Sequence, residues 1–408
     1  YYSLDVSDPD APKHLWQISS TDTGFEELGE TWSEMKPIYV NPKAIGVTGT
    51  KGSKATIPVV VFGGGYDTKE DDTSESSRIN HTEGNAIFIV DALDGTLLWK
   101  ASSTVGANLV LPEMKNSIVS DIKPVDNDGD GDIDILYASD TGGRLWRIDL
   151  FSDGTQSGVV LADLNGGNIE DNTRFFTSPT VAFHTYPDVG SPTGKKDQYV
   201  ITLGSGYRAH PLVKNNQDRL FVVFDSITYL DEATNKSSLS SYSTKKLNNF
   251  ADFGNLDAAS SDAKENGFYI KLPNTGEKAL TDAIIADNTV YVATYSPVVL
   301  ASSVNIASCN AASGSSNLYS IDLKNYNPQD ENLGVVVQTT QLAQTGIPAE
   351  PKIVFPPEDT SSDDDDDSNN DDEDDADEDC STMAILIGSE SIALDKCTSV
   401  GKSYWREL

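Results

Sequence analysis

Five times along the chain an apolar or aromatic run ends in an aspartate and gives way to a polar turn. The runs are YYSLDVSDPDAPKHLW, AIFIVDALDGTLLW, RLWRIDLFSDG, RLFVVFDSIT and NLYSIDLKNYN, and the closing acids are Asp5, Asp91, Asp149, Asp225 and Asp322. Other short β-like runs lie between them, including IPVVVFGGG, KDQYVITLGSG and NTVYVATYS, and strong helix patterns are almost absent. Many short strands broken by turn residues restrict the chain to a sandwich, a barrel or a propeller. One unit recurring at intervals of tens of residues, stretched unevenly by polar insertions, selects the propeller. The expected fold is all-β, a β-propeller whose blades bury their faces only against their neighbours. Trp16 and Trp99, which follow two of the turns, are expected to pack between blades.

With 408 residues and 38% hydrophobic content the chain can build a large core. The expectation is a single β domain over residues 1–408. The opening YYSLDV reads as the middle of a strand, so an N-terminal part of the full protein is expected to be missing. Polar insertions near 68–84, 185–197 and 233–264 are expected to be surface loops on one rim. The stretch 358–379, almost wholly Asp, Glu, Ser and Asn, is expected to be a disordered acidic insertion kept extended by self-repulsion.

A formal charge of −35 argues against nucleic acid as a partner, because phosphate contacts need clustered Lys and Arg. It also disfavours anionic membrane surfaces, and no apolar run approaches a membrane span. Strong acidity suits a secreted protein in a salty or Ca²⁺-rich medium. The three cysteines, Cys309, Cys380 and Cys397, lack CxxC spacing. A Cys380–Cys397 bridge would stabilise by about 3 kcal/mol in the chain-entropy model, although the pairing is open.

The most informative chemistry lies at 126–150, DNDGDGDIDILYASDTGGRLWRIDL. Asp126, Asp128, Asp130, Asp132 and Asp134 alternate with smaller or neutral residues, as in the first nine positions of an EF-hand-like loop. Gly131 holds the sixth position, where the chain turns sharply and positive φ is often required. All-oxygen ligands in this number favour Ca²⁺ over Mg²⁺. The twelfth position is Tyr137 instead of a bidentate Glu, and a hairpin pattern follows, so the loop is expected at a strand entrance. Without a cation, carboxylates about 5 Å apart repel by roughly 3 kcal/mol per pair at an effective dielectric near 20. A solvated Asp-Gly turn is the plainer alternative.

Other chemistry finds little support. GGGYD at 63–67 and GSGYR at 204–208 lack the Lys-Ser/Thr of a phosphate loop and the spacing of a dinucleotide fingerprint, so they are expected to be tight strand exits. His14, His81, His184 and His210 are dispersed without HExxH spacing, and no GxSxG elbow occurs. No Arg-Gly-Asp tripeptide occurs either.

Several segments together resemble one family, the C-terminal domain of PilY-type type IV pilus biogenesis and adhesion factors. They are YYSLDVSDPDAP with GETWSEMKP, VVVFGGGYD with AIFIVDALDGTLLW, the aspartate loop with LYASDTGGRLWRIDL, GSGYRAHPL with DRLFVVFD, GFYIKLPNTGEKALTDAII with VYVATYSP, and the terminal SYWREL. The resemblance implies a modified β-propeller, quinoprotein-like and of about seven blades. It implies one Ca²⁺ held by the side chains of Asp126, Asp128, Asp130 and Asp134 and the carbonyl of Asp132. It further implies an extracellular, pilus-associated protein of a Gram-negative bacterium that promotes pilus biogenesis, opposes retraction and supports adhesion and twitching motility. Its partners would be minor pilins, the assembly and secretin machinery, and host or abiotic surfaces. No enzyme activity is expected. The alternatives are a quinoprotein-like dehydrogenase, suggested by LDGTLLW but lacking a vicinal Cys pair, and a generic Ca²⁺-stabilised extracellular binding propeller.

Overall fold

Each of the acid-ending runs forms a strand, and four of the five acids perform the same local task. The computed structural model describes residues 1–72, 78–188, 191, 194–227, 232–298, 314–354 and 381–398. Asp5, Asp91, Asp225 and Asp322 each accept through Oδ1 from the backbone N–H two residues on, at 3.0, 2.9, 2.9 and 2.9 Å. This Asx turn ends the strand and starts the next connection. Asp149 departs from the pattern and binds the Arg147 guanidinium instead.

Six sheets occur among the described residues. An N-terminal hairpin pairs Tyr2–Asp5 with Lys13–Gln17. The first full sheet is an antiparallel meander of Lys36–Val40, Ile57–Gly64, Gly84–Asp91 and Leu97–Ser102. The second repeats it with Lys123–Val125, Ile135–Ser139, Arg144–Leu150 and Gln156–Asp163. The third uses Thr180–Pro187, Lys195–Gly204, Arg219–Asp225 and Gly267–Lys271. Each of these three gains a two-residue parallel strand at its last edge. In the fourth, Lys278–Ala279 and Ile284–Ala286 both pair with Thr289–Ser296, followed by Ser315–Asp322 and Val336–Gln341. The fifth holds Lys352–Val354, Ser381–Ile387 and Glu390–Thr398. In all four meanders the recurring aspartate lies at or near the end of the third strand, which explains why it recurs with the sheets.

The cores lie between sheets. Trp16 of the hairpin meets Phe62 and Phe88 of the first sheet, and Trp99 of the first joins Leu136 and Trp146 of the second. Tyr137 and Leu145 on the opposite face of the second sheet pack with Tyr199 and Phe221 of the third. Val222 and Phe268 then meet Val292 and Tyr319 of the fourth, whose Leu318 and Tyr291 reach Ile385 and Ile387 of the fifth. Successive residues of a strand thus enter different cores, because β side chains alternate between faces. That is why the central strands read as unbroken apolar runs.

Three expectations about insertions need correction. Residues 185–187 and 195–197 are paired strand, since the ladder continues to Pro187↔Lys195 and Thr185 Oγ1 lies 2.6 Å from Asp197 Oδ1. The 233–264 insertion contains helices Glu232–Ser240 and Ser261–Asn266, the former anchored by buried Asn235 and Leu239 and the latter capped by Ser260. Within 68–84, Glu70 and His81 are buried: Glu70 accepts from Arg174 Nε at 2.9 Å and lies 3.2 Å from His81 Nε2. The glycine clusters do end strands, as Ile57–Gly64 and Lys195–Gly204 show. The acidic stretch 358–379, Cys309, Cys380 and the terminal SYWREL lie outside the described residues, and the Cys397 side chain lies outside the described side chains.

Candidate metal centre

The five aspartates fall on the connection between the first two strands of the second sheet. Val125 pairs with Ile135, and the Asp134 N–H donates to Val125 O at 3.1 Å, so the loop closes on itself at the sheet edge. Its shape comes from Asx turns. The Asp126 carboxylate accepts from Gly129 N at 2.6 Å and from Gly131 N at 3.0 Å. Asp128 Oδ1 accepts from Asp130 N at 3.1 Å, and Asp130 Oδ1 from Asp132 N at 2.8 Å. Gly129 and Gly131 adopt φ of 80° and 98°, the left-handed region expected at the sixth position and found also two residues earlier.

These turns direct carboxylates toward a common point. One oxygen from each of Asp126, Asp128 and Asp130 lies within 4.8 Å of the others. Two oxygens on opposite sides of a Ca²⁺ at 2.3–2.6 Å would be about 5 Å apart, so the cluster has the right span. The Asp132 and Asp134 carboxylates do not join it. Asp134 Oδ2 instead accepts from Asn127 N at 2.8 Å. Asp132 is buried, and its Oδ1 has no hydrogen-bond partner.

The electrostatics are those of a site loaded with one sign of charge. Burial, reinforced by Asp130, Asp126 and Asp128, pushes the Asp132 carboxyl up to about 6. Burial pushes Asp134 up to about 7 against the Asn127 hydrogen bond, with the same three acids adding to the rise. Asp128 is also raised, by burial and then by its acidic neighbours Asp130 and Asp126. A cation would lower all three. The oxygen-only donor set of Asp126, Asp128 and Asp130 fits a hard divalent ion such as Ca²⁺.

Sequence reasoning missed the groups that tie this loop to its neighbours. The Ile133 N–H donates to Tyr39 O in the first sheet at 2.9 Å. The Tyr199 hydroxyl of the third sheet donates to Asn127 Oδ1. Behind the loop, Arg147 is fully buried, with Nε and Nη2 on Asp149 at 2.8 and 2.7 Å and Nη1 on Asp225 at 2.7 Å. Tyr137, at the former twelfth position, donates to the same Asp225 oxygen at 2.8 Å. The loop therefore touches three successive sheets.

The fold and loop define the class: an all-β protein of successive sheets with shared cores, carrying one aspartate-rich hairpin able to hold a metal ion. No family model matches the chain. It is 26% identical over 347 residues to a type IV pilus biogenesis factor PilY1 homolog from Xylella fastidiosa, a match covering 79% of this chain and 20% of the relative. It is 30% identical over 154 residues to the type IV pilus biogenesis factor PilY1 of Pseudomonas aeruginosa, covering 36% and 10%. The crystal structure of the Pseudomonas aeruginosa PilY1 C-terminal domain has the same fold, with a TM-score of 0.58 at 17% identity over 96% of this chain and 78% of that one. In sequence the chain is similar to these two type IV pilus biogenesis factors, and in fold to the PilY1 C-terminal domain. Its matches span a fifth of the length of one curated relative and a tenth of the other. Among the described residues no helix is long and apolar enough to cross a membrane.

Proposed function

We propose that this chain is the Ca²⁺-binding C-terminal propeller of a type IV pilus biogenesis factor, acting as an interaction module and not as an enzyme. The observation that carries this reading is the convergence of Asp126, Asp128 and Asp130 within a hairpin, in a chain related to PilY1. In this reading the sheets close into a ring of about seven blades. Asp126, Asp128 and Asp130 give side-chain oxygens, Asp132 its carbonyl, and Asp134 a further acidic oxygen after losing its proton. The bound ion would supply charge neutralisation and a fixed coordination geometry.

The chain's own residues then convert occupancy into shape. Once the loop is ordered, Ile133 holds it to Tyr39 and Asn127 holds it to Tyr199, so one hairpin fixes the relation of three sheets. A surface built across those sheets engages minor pilins and the assembly machinery better in the occupied form, promoting pilus extension over retraction and supporting adhesion and twitching at the cell surface. The test pairs calorimetric Ca²⁺ titration of the wild type and Asp130→Ala with complementation of a pilus-deficient strain. Expected are a single-site isotherm lost in the variant and pili restored by the wild type only. A flat wild-type titration, or full complementation by a variant that binds no Ca²⁺, overturns the reading.

A further inference from the structure

A groove of about 670 Å³ lies where the second and third sheets meet, away from any residue used above. Its wall includes Tyr269, Arg219, Lys246, Lys271, Asn248 and Glu170. Tyr269 is half-buried, and its ring carries the Arg219 guanidinium at 5.4 Å and Lys271 Nζ at 5.9 Å. In a chain of net charge −35, such a gathering of cations at one groove stands out.

The cations are already matched. Arg219 holds Asp171, Lys246 lies 2.9 Å from Asp163 and Lys271 lies 2.7 Å from Asp252. A phosphate or sulfate would have to displace a carboxylate, so the groove is a poor anion trap despite its basic residues. It is also a poor seat for apolar peptide side chains, since Leu247 and Tyr269 are the only large apolar side chains in its wall. What it offers is an aromatic ring beside donors and acceptors in near balance: the spare N–H groups of two lysines, the exposed Asn248 amide and the Glu170 carboxylate. Arg219 is buried against the ring and its Nε has no hydrogen-bond partner.

A ligand whose groups both donate and accept, and which has C–H faces to lay on a ring, fits this wall. We propose that the groove binds a neutral oligosaccharide, with Tyr269 as the stacking platform and Asn248, Lys246 and Glu170 meeting its hydroxyls. The site does not involve the aspartate loop, so it stands or falls independently of Ca²⁺ binding. It would give a surface-exposed pilus factor a defined chemical target for attachment.

Chitotriose, maltotriose and lactose are titrated into the full chain by calorimetry and by saturation-transfer NMR, with heparin as a polyanion control. Binding of at least one neutral sugar at concentrations on the order of 10 mM or below is expected. Tyr269→Ala should weaken it about tenfold and Asn248→Ala about threefold. Asn248 is exposed, so its variant keeps the test valid should Tyr269→Ala fold poorly. No binding of any neutral sugar, binding unaffected by Asn248→Ala, or binding of heparin alone that is lost with added salt overturns the proposal.

Discussion

The Tyr199 hydroxyl reaches from the third sheet to the side-chain oxygen of Asn127, inside the aspartate loop of the second. The loop's conformation is thus set partly by a residue whose strand belongs to another sheet. Replacing Tyr199 by Phe removes this bond and little else. A net hydrogen bond is worth about 1 kcal/mol, so the melting temperature of the metal-free protein should fall by roughly a degree or two, while Ca²⁺ affinity should fall by at most about fivefold. Calorimetric titration beside a thermal melt checks both halves.

Asp126 holds two backbone N–H groups of the loop, where Asp128 and Asp130 each hold one. Its carboxylate caps Gly129 and Gly131 and also joins the acidic cluster. Asp126→Ala should abolish Ca²⁺ binding, whereas Asp128→Asn, which keeps an oxygen and its turn, should weaken it by only about one order of magnitude. Equal affinities for the two variants would contradict this division of labour.

Removing the metal should be visible in stability as well as in binding. An ion present at about a hundred times its dissociation constant stabilises the folded state by about 2.7 kcal/mol. Chelation should therefore lower the melting temperature of the wild type by several degrees and leave that of Asp126→Ala where it was. Melts with and without chelator decide the matter.

Arg147 is the only buried group joining Asp149 of the second sheet to Asp225 of the third through direct guanidinium contacts among the described residues. Its loss strands two buried carboxylates. Arg147→Ala should cost about 3–5 kcal/mol, far more than an exposed pair would. Arg147→Ala/Asp149→Ala should recover part of that loss, as measured by denaturant melts.

Asp282 supplies a pH dependence remote from the metal loop. Its carboxyl accepts from Ser178 N at 2.8 Å, yet burial chiefly, with Glu350 and Asp121 nearby and Arg208 opposing, raises it to about 6. Because the folded value lies above the unfolded one, the folded state binds the proton more tightly. The associated stability is present below about pH 4 and is lost as pH rises through 6. At roughly 1.4 kcal/mol per unit the loss approaches 3 kcal/mol. Asp282→Asn, which keeps the acceptor oxygen, should be more stable than the wild type at pH 8 and about equal at pH 4. Melting curves across that range give the answer.

Much of this was legible in the sequence because it depends on local chemistry. The strand-ending aspartates marked the turns by their own Asx hydrogen bonds, and the alternation at 126–134 foretold the loop and its Gly131 conformation. The strand pattern also foretold sheets buried on both faces. What escaped notice was non-local. Tyr199 and Asn127 are 72 residues apart in sequence, and nothing in either neighbourhood signals their meeting. Asp149 carries the recurrent motif yet serves Arg147, a substitution of role that only packing reveals. The helix Glu232–Ser240 was obscured by its polar composition, since only two of its residues are buried and no apolar stripe forms. The spacing marks Asp134 as a ligand candidate but gives no sign that its Oδ2 accepts from the Asn127 N–H.

The placement of the cores between sheets also governs how the chain can be divided. Each of the apolar layers between described sheets has two owners, so a cut made at the joint between, for instance, Leu164 and Thr180 would strip Tyr137 and Leu145 of their cover and leave Phe221 facing water. Excising a single sheet lays bare one layer on each side. Fragments for biochemistry are better nicked within the surface connections, leaving all the sheets together, because the smallest self-sufficient piece of such an architecture is a run of neighbours and never one member.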